Sequence, residues 1–405
     1  MIEGKRLVGR SYLQKLISKK DSTDIIKIVT GVRRCGKSTL LKQYSEYLTS
    51  SGVSADDIFY VNLELHGNSR LRDSDAFYSF LRKNLIGRRT YLMVDEVQLM
   101  DGWEAAVNSA LAEFDADIYL TGSNAYMLST ELSTLISGRY VEIGMLPLSF
   151  AEFLDLNGID PEKADDGHLA LYVSRGSMPS ILPSDTDVDV RDKLEGIYNT
   201  VVAKDIIFRK KDSMRNGPVL ERLVRFIFST CGSMVSPNSI SKELGYSESK
   251  TVDSYLSMLE EALIVYRADR YDLVGKKMLH SVCKYYCVDT GMRNAVLSTH
   301  GADLGRMLEN VVYLELRRRG YSVSVGVMHN GVEVDFVAVR GGDTAYFQVT
   351  LSMADERVRE RELRSLAAIR DNHPKTVLSA DRLIVGGYDG IEHKNVIDFL
   401  LDRTG

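Results

Sequence analysis

Short apolar runs alternate with segments of helical spacing along the first third of the chain. The runs lie at residues 24–30, 58–63, 91–94 and 118–122. Runs of consecutive apolar residues are typical of strands that are buried on both faces of a parallel sheet. The first run is followed at Ser38 by a segment of helical spacing. This alternation predicts an α/β fold with a doubly wound parallel sheet.

The pattern becomes helical at residues 150–216 and then changes again. Ser236 is an N-cap, Pro237 is the first helical position, and Gly245 ends the helix that they begin. A third helix is followed by a strand pattern and by a Gly-Lys-Lys tip at residues 275–277. Three helices before a hairpin predict a winged helix-turn-helix. The predicted helices and the first hairpin strand occupy residues 218–229, 236–244, 247–263 and 265–271.

The last quarter of the chain combines an amphipathic helix, which carries Glu309, with alternating strands. Side chains two positions apart in a strand share a face. Glu333 and Asp335 therefore lie on one face of their strand, and Gln348 and Thr350 share a face of the next strand. These elements are expected at residues 304–318, 320–325, 332–337 and 345–350.

Composition and charge exclude several classes of protein. The 405 residues are 44% hydrophobic and 26% charged, which is ordinary for a globular chain of about two to four domains. A net charge of -5 argues against a protein that coats nucleic acid with its entire surface, although local basic patches are compatible with it. Cys283 and Cys287 have no second ligand pair nearby, so no zinc site is expected. Because no signal peptide or membrane-spanning apolar run is present, we expect a cytoplasmic protein that has no membrane association.

The segment between the first strand and the first helix reads GVRRCGKS, which matches the phosphate-binding loop pattern G-x-x-x-x-G-K-[ST]. In such loops glycines let backbone N–H groups face the phosphates, and the helix N-terminus adds positive potential. We expect Lys37 to reach the β- and γ-phosphates of ATP and the Ser38 hydroxyl to bind Mg²⁺. The alternative is a glycine-rich turn that holds no nucleotide. The candidate nucleotide-binding residues are Gly31, Arg33, Arg34, Cys35, Gly36, Lys37, Ser38 and Thr39.

Two acids, Asp95 and Glu96, stand at the carboxyl end of the third apolar run. A phosphate-binding loop needs a carboxylate there, because a second strand has to hold Mg²⁺ and order the attacking water. Asp95 is expected to contact the Mg²⁺ shell, and Glu96 is expected to polarise the water as a general base. The alternative is a pair of solvated acids at the end of a strand.

Ser123 and Asn124 follow the fourth apolar run. A polar side chain at this strand end, beside the loop, would hydrogen-bond the γ-phosphate or the attacking water. Gly-Ser-Asn is also a sequence that forms turns, so this sensor role stays open for both residues.

Together these motifs resemble an AAA+-type ATPase. More narrowly, they resemble one prokaryotic family whose members join an ATPase core to a winged helix and a C-terminal domain of restriction-endonuclease-like fold. The residues that carry the likeness are GVRRCGKS, VDEVQ with Trp103, TGSN at 121–124, LISGR at 135–139, and LPLSF at 146–150. The resemblance implies an ATPase core at 1–149, a helical lid at 150–216, a winged helix at 217–290 and a restriction-endonuclease-like domain at 291–405.

The resemblance also implies a role for Arg139. AAA+ proteins place an arginine at the subunit interface, where it reaches the γ-phosphate of the neighbouring subunit. An arginine finger of this kind is worth about 10³–10⁵ in rate for GTPases. The resemblance therefore also implies a homo-oligomer such as a hexamer-like ring. The alternative is a cation at a helix end that complements the helix dipole.

For the C-terminal domain, the resemblance implies a place for a divalent metal ion. Nucleases of this fold hold the metal with an acid on the first helix and with residues on two strands, and a nearby lysine activates water. The positions that match are Glu309, Asp335 and Gln348, and the lysine position holds Thr350. Threonine is neither a cation nor a base, and an amide replaces the third acid. We therefore expect a domain that binds or assembles without cleaving, with an inert structural cap and an active nuclease as the alternatives.

The function expected from these features is Mg²⁺-dependent ATP binding and hydrolysis by an oligomer that acts on or near DNA. Phosphate contacts dominate DNA affinity, and the predicted recognition helix is poor in cations. The wing lysines with Arg267 and Arg270 are therefore the candidates for DNA contact, although winged helices also serve as oligomerisation or partner surfaces. A nucleotide-binding switch that scaffolds protein assembly with little hydrolysis and an ATP-dependent nuclease are the alternative functions.

Overall fold

The structure, a computed structural model, describes residues 10–85, 87–123, 138–207, 217–246, 248–299, 303–329, 331–382 and 387–401. The chain divides into two compact units. The N-terminal unit contains Leu7–Pro147 and Glu261–Leu263, and the C-terminal unit contains Leu148–Glu260 and Ile264–Gly405. The finer division into four domains stays a prediction.

The N-terminal unit is built on five strands that form a single parallel sheet. The strands are β1 Ile26–Thr30, β2 Ile58–Asn62, β3 Thr90–Asp95, β4 Ala116–Gly122 and β5 Tyr140–Gly144. The helices are α1 Arg10–Ile17, α2 Lys37–Ser50, α3 Ser74–Leu85 and α4 Trp103–Glu113. The sheet order is β2-β3-β4-β1-β5, and each neighbouring pair is parallel. The predicted parallel α/β sheet is thus confirmed.

Burial explains why these strands could be recognised as apolar runs. Every position of β1, β3 and β4 is buried. Phe77 of α3 and Trp103 of α4 belong to the same hydrophobic core as the strands. Because the strands are parallel, their carboxyl ends meet at one edge of the sheet, where Asn62 lies opposite Asp95. That edge carries the candidate nucleotide site.

The C-terminal unit combines helices with one large mixed sheet. Its helices are α5 Phe150–Leu156, α6 Asp166–Arg175, α7 Asp187–Thr200, α8 Gly217–Ser229, α9 Pro237–Leu244, α10 Ser249–Glu261, α11 Thr290–Leu297, α12 Leu304–Arg318, α13 Glu356–Ala367 and α14 Val396–Leu401, and a π-helical segment, Val201–Ile207, follows α7. Its strands are β6 Met234–Val235, β7 Val265–Asp272, β8 Lys277–Cys287, β9 Ser322–Val327, β10 Glu333–Arg340, β11 Asp343–Val349, β12 Lys375–Ser379, β13 Gly387–Tyr388 and β14 Ile391–Asn395.

The hairpin β7–β8 belongs to the same sheet as the strands that follow it. The strand order is β13-β14-β12-β11-β10-β9-β7-β8-β6. The connection is the parallel pairing of β7 with β9, in which Arg270 lies opposite Val325 and Asp272 opposite Val327. The sequence predicts a winged helix at 217–290 and a separate domain at 291–405, whereas one continuous sheet contains strands from both segments.

Local signals predicted the ends of α9 correctly. The Ser236 hydroxyl accepts a hydrogen bond from the Ser239 N–H, Pro237 is the first helical residue, and Gly245 has a left-handed backbone with φ 70°. Ser247, the first residue of the predicted third helix, lies outside the described residues. No helix in the described part of the chain is long and apolar enough to cross a membrane.

Candidate functional site

The loop between β1 and α2 has a backbone that only certain residues can adopt. Gly36, the N-cap of α2, has φ 113°, and Arg34 has φ 66°. A Cβ atom at Gly31 would lie 2.4 Å from the Met145 carbonyl oxygen and 2.7 Å from Cys35 Sγ. Glycine is therefore required at position 31 for steric reasons and is favoured at position 36 by its left-handed conformation.

Lys37 lies inside this loop. Its side chain is buried, and Nζ donates to the carbonyl oxygens of Gly31 at 2.9 Å and Val32 at 3.3 Å. The same Nζ lies 3.9 Å from Glu96 Oε1. The loop cation and the candidate base are therefore neighbours.

The other loop residues differ in burial and partners. Cys35 is completely buried, and burial raises the pKa of its thiol, so this cysteine stays protonated. Arg33 Nη1 donates to Glu64 Oε1 at 3.0 Å. Of the remaining candidates, Ser38 is half-buried, and Arg34 and Thr39 are exposed.

Asp95 is completely buried at the end of β3, and three side chains orient its carboxylate. Tyr60 and Asn62 of β2 donate to Oδ2 at 2.8 and 3.1 Å. Thr121 Oγ1 donates to Oδ1 at 2.5 Å. Burial, together with Asp95 itself, raises the pKa of Tyr60, so the phenol remains a donor at neutral pH.

Glu96 has a left-handed backbone, with φ 58°, and its N–H donates to Thr121 Oγ1 at 3.0 Å. Gln98 Nε2 donates to Glu96 Oε2 at 2.5 Å and to Ser123 Oγ at 3.2 Å. One amide group therefore joins the candidate base to the candidate sensor serine. The other candidate sensor, Asn124, lies outside the described residues.

These groups fit a magnesium-bound nucleoside triphosphate. The buried Lys37 ammonium and the N–H groups at the start of α2 provide positive potential for phosphates. The Ser38 hydroxyl and the Asp95 carboxylate are oxygen ligands of the type that Mg²⁺ takes. Within the described residues, no hydrogen-bond donor reaches the buried Oε1 of Gln98.

Arg139 lies directly before β5, at the amino end of the sheet. Its side chain is exposed, and Nη2 donates to Asn108 Oδ1 at 3.2 Å. The strand Tyr140–Gly144 separates it from the edge that carries the loop. Five strand residues span ~16 Å at about 3.3 Å each. Arg139 therefore lies far from the phosphate-binding loop of its own chain.

A second group of charged side chains lies in the C-terminal unit. Lys284 of β8 is buried, and its Nζ lies 3.0 Å from Glu309 Oε1, 2.5 Å from Glu333 Oε1 and 3.8 Å from Asp335 Oδ1. Tyr286 OH also donates to Glu309 Oε1 at 2.7 Å. Burial, and after it the Glu309 carboxylate, raises the pKa of Asp335, and the Lys284 ammonium acts in the opposite direction. Burial lowers the pKa of Lys284, but the three carboxylates outweigh it and raise the pKa, so the amine is an ammonium.

Gln348 adjoins this group, and Thr350 is oriented elsewhere. Gln348 Oε1 accepts from the Asp335 N–H at 3.3 Å, and its Nε2 donates to Glu362 Oε2 at 2.8 Å. The Thr350 hydroxyl donates to the Ser352 carbonyl at 3.4 Å. The structure thus brings Glu309, Asp335 and Gln348 together as expected. A lysine is also present, although it comes from β8 and not from position 350.

The hairpin arginines have partners within the hairpin. Arg267 Nε donates to Asp269 Oδ1 at 2.7 Å, and Arg270 Nε donates to a carbonyl of β8 at 3.2 Å. Lys276 and Lys277 at the tip are exposed. Of the cations predicted to face DNA, the tip lysines therefore remain the accessible ones.

Comparison with known families assigns the segment that carries the nucleotide site. Residues 23–154 match the family model described as an AAA domain, AAA_14. Proteins of this class are P-loop ATPases. The matched segment contains the loop, Asp95, Glu96 and Arg139.

An uncharacterized protein of Haemophilus influenzae is 36% identical to this chain over 405 residues, which covers 98% of this chain and 99% of that protein. The chain belongs to the family of that protein. The uncharacterized protein MJ1544 of Methanocaldococcus jannaschii is 28% identical over 385 residues, which covers 90% of this chain and 82% of that protein. The similarity to the family therefore extends well beyond the AAA domain. Residues 166–303 match a second family model, the domain of unknown function DUF8612.

Solved structures give weaker likenesses. The AMPPCP-bound DnaA of Aquifex aeolicus has a TM-score of 0.28 and 13% identity, and the match covers 61% of this chain and 85% of that chain. The Aeropyrum pernix ORC1 protein in complex with DNA has a TM-score of 0.29 and 13% identity, over 71% of this chain and 91% of that chain. Both TM-scores are too low to extend a function to this family.

In this member of the family, three site residues had no role assigned from the sequence: Gln98, Thr121 and Lys284. Gln98 and Thr121 stand inside the VDEVQ and TGSN motifs, so their place in a motif could have indicated them. Lys284 had a clearer signal. It is a single lysine among the apolar and aromatic residues 282–288, and a lysine in a buried strand needs charged partners.

Proposed function

We propose that the AAA domain binds ATP and hydrolyses it in a Mg²⁺-dependent reaction. The proposal is carried by the position of Lys37, whose buried ammonium bonds with the loop carbonyls and lies 3.9 Å from the Glu96 carboxylate. A phosphate-binding cation thereby adjoins a carboxylate that can take up a proton. A turn without a ligand would gain nothing from a buried lysine.

Each side chain of the site has a role in this proposal. Lys37 binds the β- and γ-phosphates, and Ser38 and Asp95 would hold Mg²⁺, which when bound neutralises charge on the phosphates. Glu96 accepts a proton from the attacking water. The Ser123 hydroxyl orients that water or the γ-phosphate. The hydrogen bonds of Tyr60, Asn62 and Thr121 to Asp95 support these roles because they fix its carboxylate before ATP arrives.

We further propose that the protein works as a homo-oligomer in which Arg139 serves the site of a neighbouring subunit. Support comes from its position at the opposite end of β5 from the loop of its own chain. An exposed arginine at that end can meet a phosphate only across an interface between subunits. In that position Arg139 would stabilise the negative charge on the phosphoryl group that is transferred in the neighbouring site.

Action on DNA is the next part of the proposal. The exposed Lys276 and Lys277 would contact phosphates. Their neighbours Val274 and Met278 are also exposed, at 63% and 43%, so the whole tip of the hairpin is accessible. The helices α8, α9 and α10 followed by this hairpin support the winged-helix interpretation. Arg267 and Arg270 are not part of the proposed contact, because both have acceptors within the hairpin.

For the rest of the C-terminal unit, we propose a restriction-endonuclease-like domain that binds or assembles without cleaving DNA. The amphipathic helix α12 and the strands β10 and β11 support the likeness, because they bring Glu309, Asp335 and Gln348 to one cluster. Gln348 supports the loss of cleavage, since both ends of its amide bond with protein groups.

ATP turnover by the purified full-length protein tests the central proposal. We expect Lys37→Ala to lose ATP binding, and Glu96→Gln to keep ATP binding while turnover falls by about 10² or more. Lys42→Ala, which changes an exposed lysine of the same helix, should leave both unchanged. Equal turnover by the wild type and Glu96→Gln would reject Glu96 as the base. Tight ATP binding without turnover, with or without DNA, would favour the nucleotide switch instead.

A further inference from the structure

The charged cluster around Lys284 is organised about the ammonium group. The side chains of Lys284, Asp335 and Glu309 are 5%, 12% and 13% exposed, and that of Glu333 is 37% exposed. The lysine comes from β8, one acid comes from α12 and two come from β10. Three carboxylates thus converge on one nitrogen atom, and two of them are largely removed from water.

The residues of this cluster do not fit the divalent metal ion that a restriction-endonuclease-like site would hold. Mg²⁺ requires near-octahedral oxygen ligands at about 2.0–2.1 Å. Here the Lys284 Nζ lies 3.0 Å from a Glu309 oxygen and 3.8 Å from an Asp335 oxygen, so the ammonium itself occupies the place beside both carboxylates that a metal ion would need. Among the residues that the structure describes, no group of three or more His, Cys, Asp or Glu side chains is arranged to hold a metal ion.

Two oxygen atoms of the cluster also accept hydrogen bonds from other protein donors. Glu309 Oε1 accepts from Tyr286 OH as well as from Lys284. Asp335 Oδ2 accepts from the Val349 N–H at 2.8 Å. These bonds orient the carboxylates toward the lysine and its neighbours without any metal ion.

We propose that the Lys284 ammonium is the resident cation of this carboxylate pocket and occupies the place of a divalent metal ion. The lysine joins β8 to α12 and β10 by ion pairs that a metal ion would otherwise have to provide. The domain consequently retains the carboxylates of a metal site but is held in a metal-free state.

A consequence is that removal of the ammonium should create a metal site. Without it, Glu309, Glu333 and Asp335 form a group of three carboxylates with no internal cation. Carboxylate oxygens in such a group are the ligands that Mg²⁺ and Mn²⁺ take. Lys284→Met tests this, because methionine keeps an unbranched apolar chain in the buried position and removes the charge.

The experiment is Mn²⁺ binding to the full-length protein without nucleotide, followed by the electron paramagnetic resonance of free Mn²⁺. We expect Lys284→Met to bind one more Mn²⁺ per chain than the wild type, at least tenfold more tightly than the wild type binds Mn²⁺ at this cluster. The additional site should disappear in Lys284→Met with Asp335→Asn. Lys163→Met, which makes the same change at an exposed lysine of the C-terminal unit, should bind Mn²⁺ as the wild type does.

Two results would overturn the proposal. One is a folded Lys284→Met protein that binds no more Mn²⁺ than Lys163→Met. The other result concerns proteins that keep Lys284. If the wild type binds one more Mn²⁺ per chain than Asp335→Asn does, a metal ion binds beside the ammonium. Neither result depends on ATP, because the cluster lies wholly in the C-terminal unit and the measurement omits nucleotide. The Mn²⁺ experiment can therefore be interpreted even if the ATPase test fails.

Discussion

Glu260 should make the stability of this protein depend on pH in the opposite sense to most carboxylates. It lies near the end of α10, half-buried, where Tyr285 OH donates to its Oε1 at 3.4 Å. Burial raises the pKa of Glu260 to about 7, compared with an ordinary value of 4.5, and the positive charge of Arg267 offsets only part of this. Because the folded protein holds the proton more tightly than the unfolded chain, this contribution to stability is complete below pH ~4.5 and is lost as the pH rises through 7.

The magnitude follows from the difference between the two pKa values. A pKa difference of 2.5, at about 1.36 kcal/mol per pKa unit, makes the cost of ionising Glu260 in the folded state about 3 kcal/mol at most. Glu260→Gln resembles the protonated side chain at every pH. We expect its free energy of unfolding to be close to that of the wild type near pH 5 and to exceed it by up to about 3 kcal/mol at pH 8.

Urea unfolding of the full-length proteins at several pH values between 5 and 8, followed by circular dichroism, measures this difference. Comparison of two variants at each pH cancels the groups that titrate equally in both. Glu261→Gln is the matched control, since this neighbouring glutamate is exposed and should give no pH-dependent difference. A gap between Glu260→Gln and the wild type that stays constant from pH 5 to 8 would refute the reasoning.

Three further predictions concern the proposed ATPase. Gln98→Leu should lower kcat for ATP about tenfold, which corresponds to ~1.4 kcal/mol, and should change KM little. The reason is that the amide orients Glu96 and Ser123 and does not contact the phosphates in the proposed site. A change in KM alone in steady-state assays would contradict this. Inactive Arg139→Ala and Lys37→Ala subunits, when mixed, should regain turnover if the arginine acts across an interface, and a confirmed mixed oligomer without turnover would exclude that role. Double substitution of Lys276 and Lys277 by alanine should reduce the slope of log K against log salt for DNA binding by about 2, as determined by anisotropy titrations; an unchanged slope would remove the hairpin tip from the contact.

The strands of the N-terminal unit could be predicted because their environment imposes a local pattern. All positions of β1 and β4 are buried, so the sequence is apolar at almost every position, and the predicted runs at 24–30 and 118–122 coincide with these strands to within two residues. The same holds for the ends of α9, where Ser236 and Gly245 act through bonds to neighbouring residues. The order of the strands in the sheet depends on contacts between distant segments and has no comparable local signal.

The charged groups show where sequence reasoning stops. The sequence predicts Arg267 and Arg270 as cations available to DNA, but both donate to acceptors within the hairpin, which composition cannot reveal. Lys284 was missed for the same reason. Its partner Glu309 lies 25 residues later and reaches it only because α12 packs near β8. The spacing of residues within a motif predicts chemistry when the interacting residues are close in sequence, as in the loop at 31–38. It cannot do so when the interacting residues are distant in sequence and only the fold brings them together.

The continuity of the large sheet has a practical consequence for anyone who divides this protein into fragments. A piece that stops at residue 290 would keep β7 and β8 but lose β9, and the main-chain groups that Arg270, Tyr271 and Asp272 share with β9 would be left bare. Unpaired strand edges of this kind form hydrogen bonds with other chains, so such a fragment should aggregate even though its sequence is unchanged. Pieces that keep residues 217–401 together avoid this hazard, because the sheet then retains all of its strands from β6 to β14.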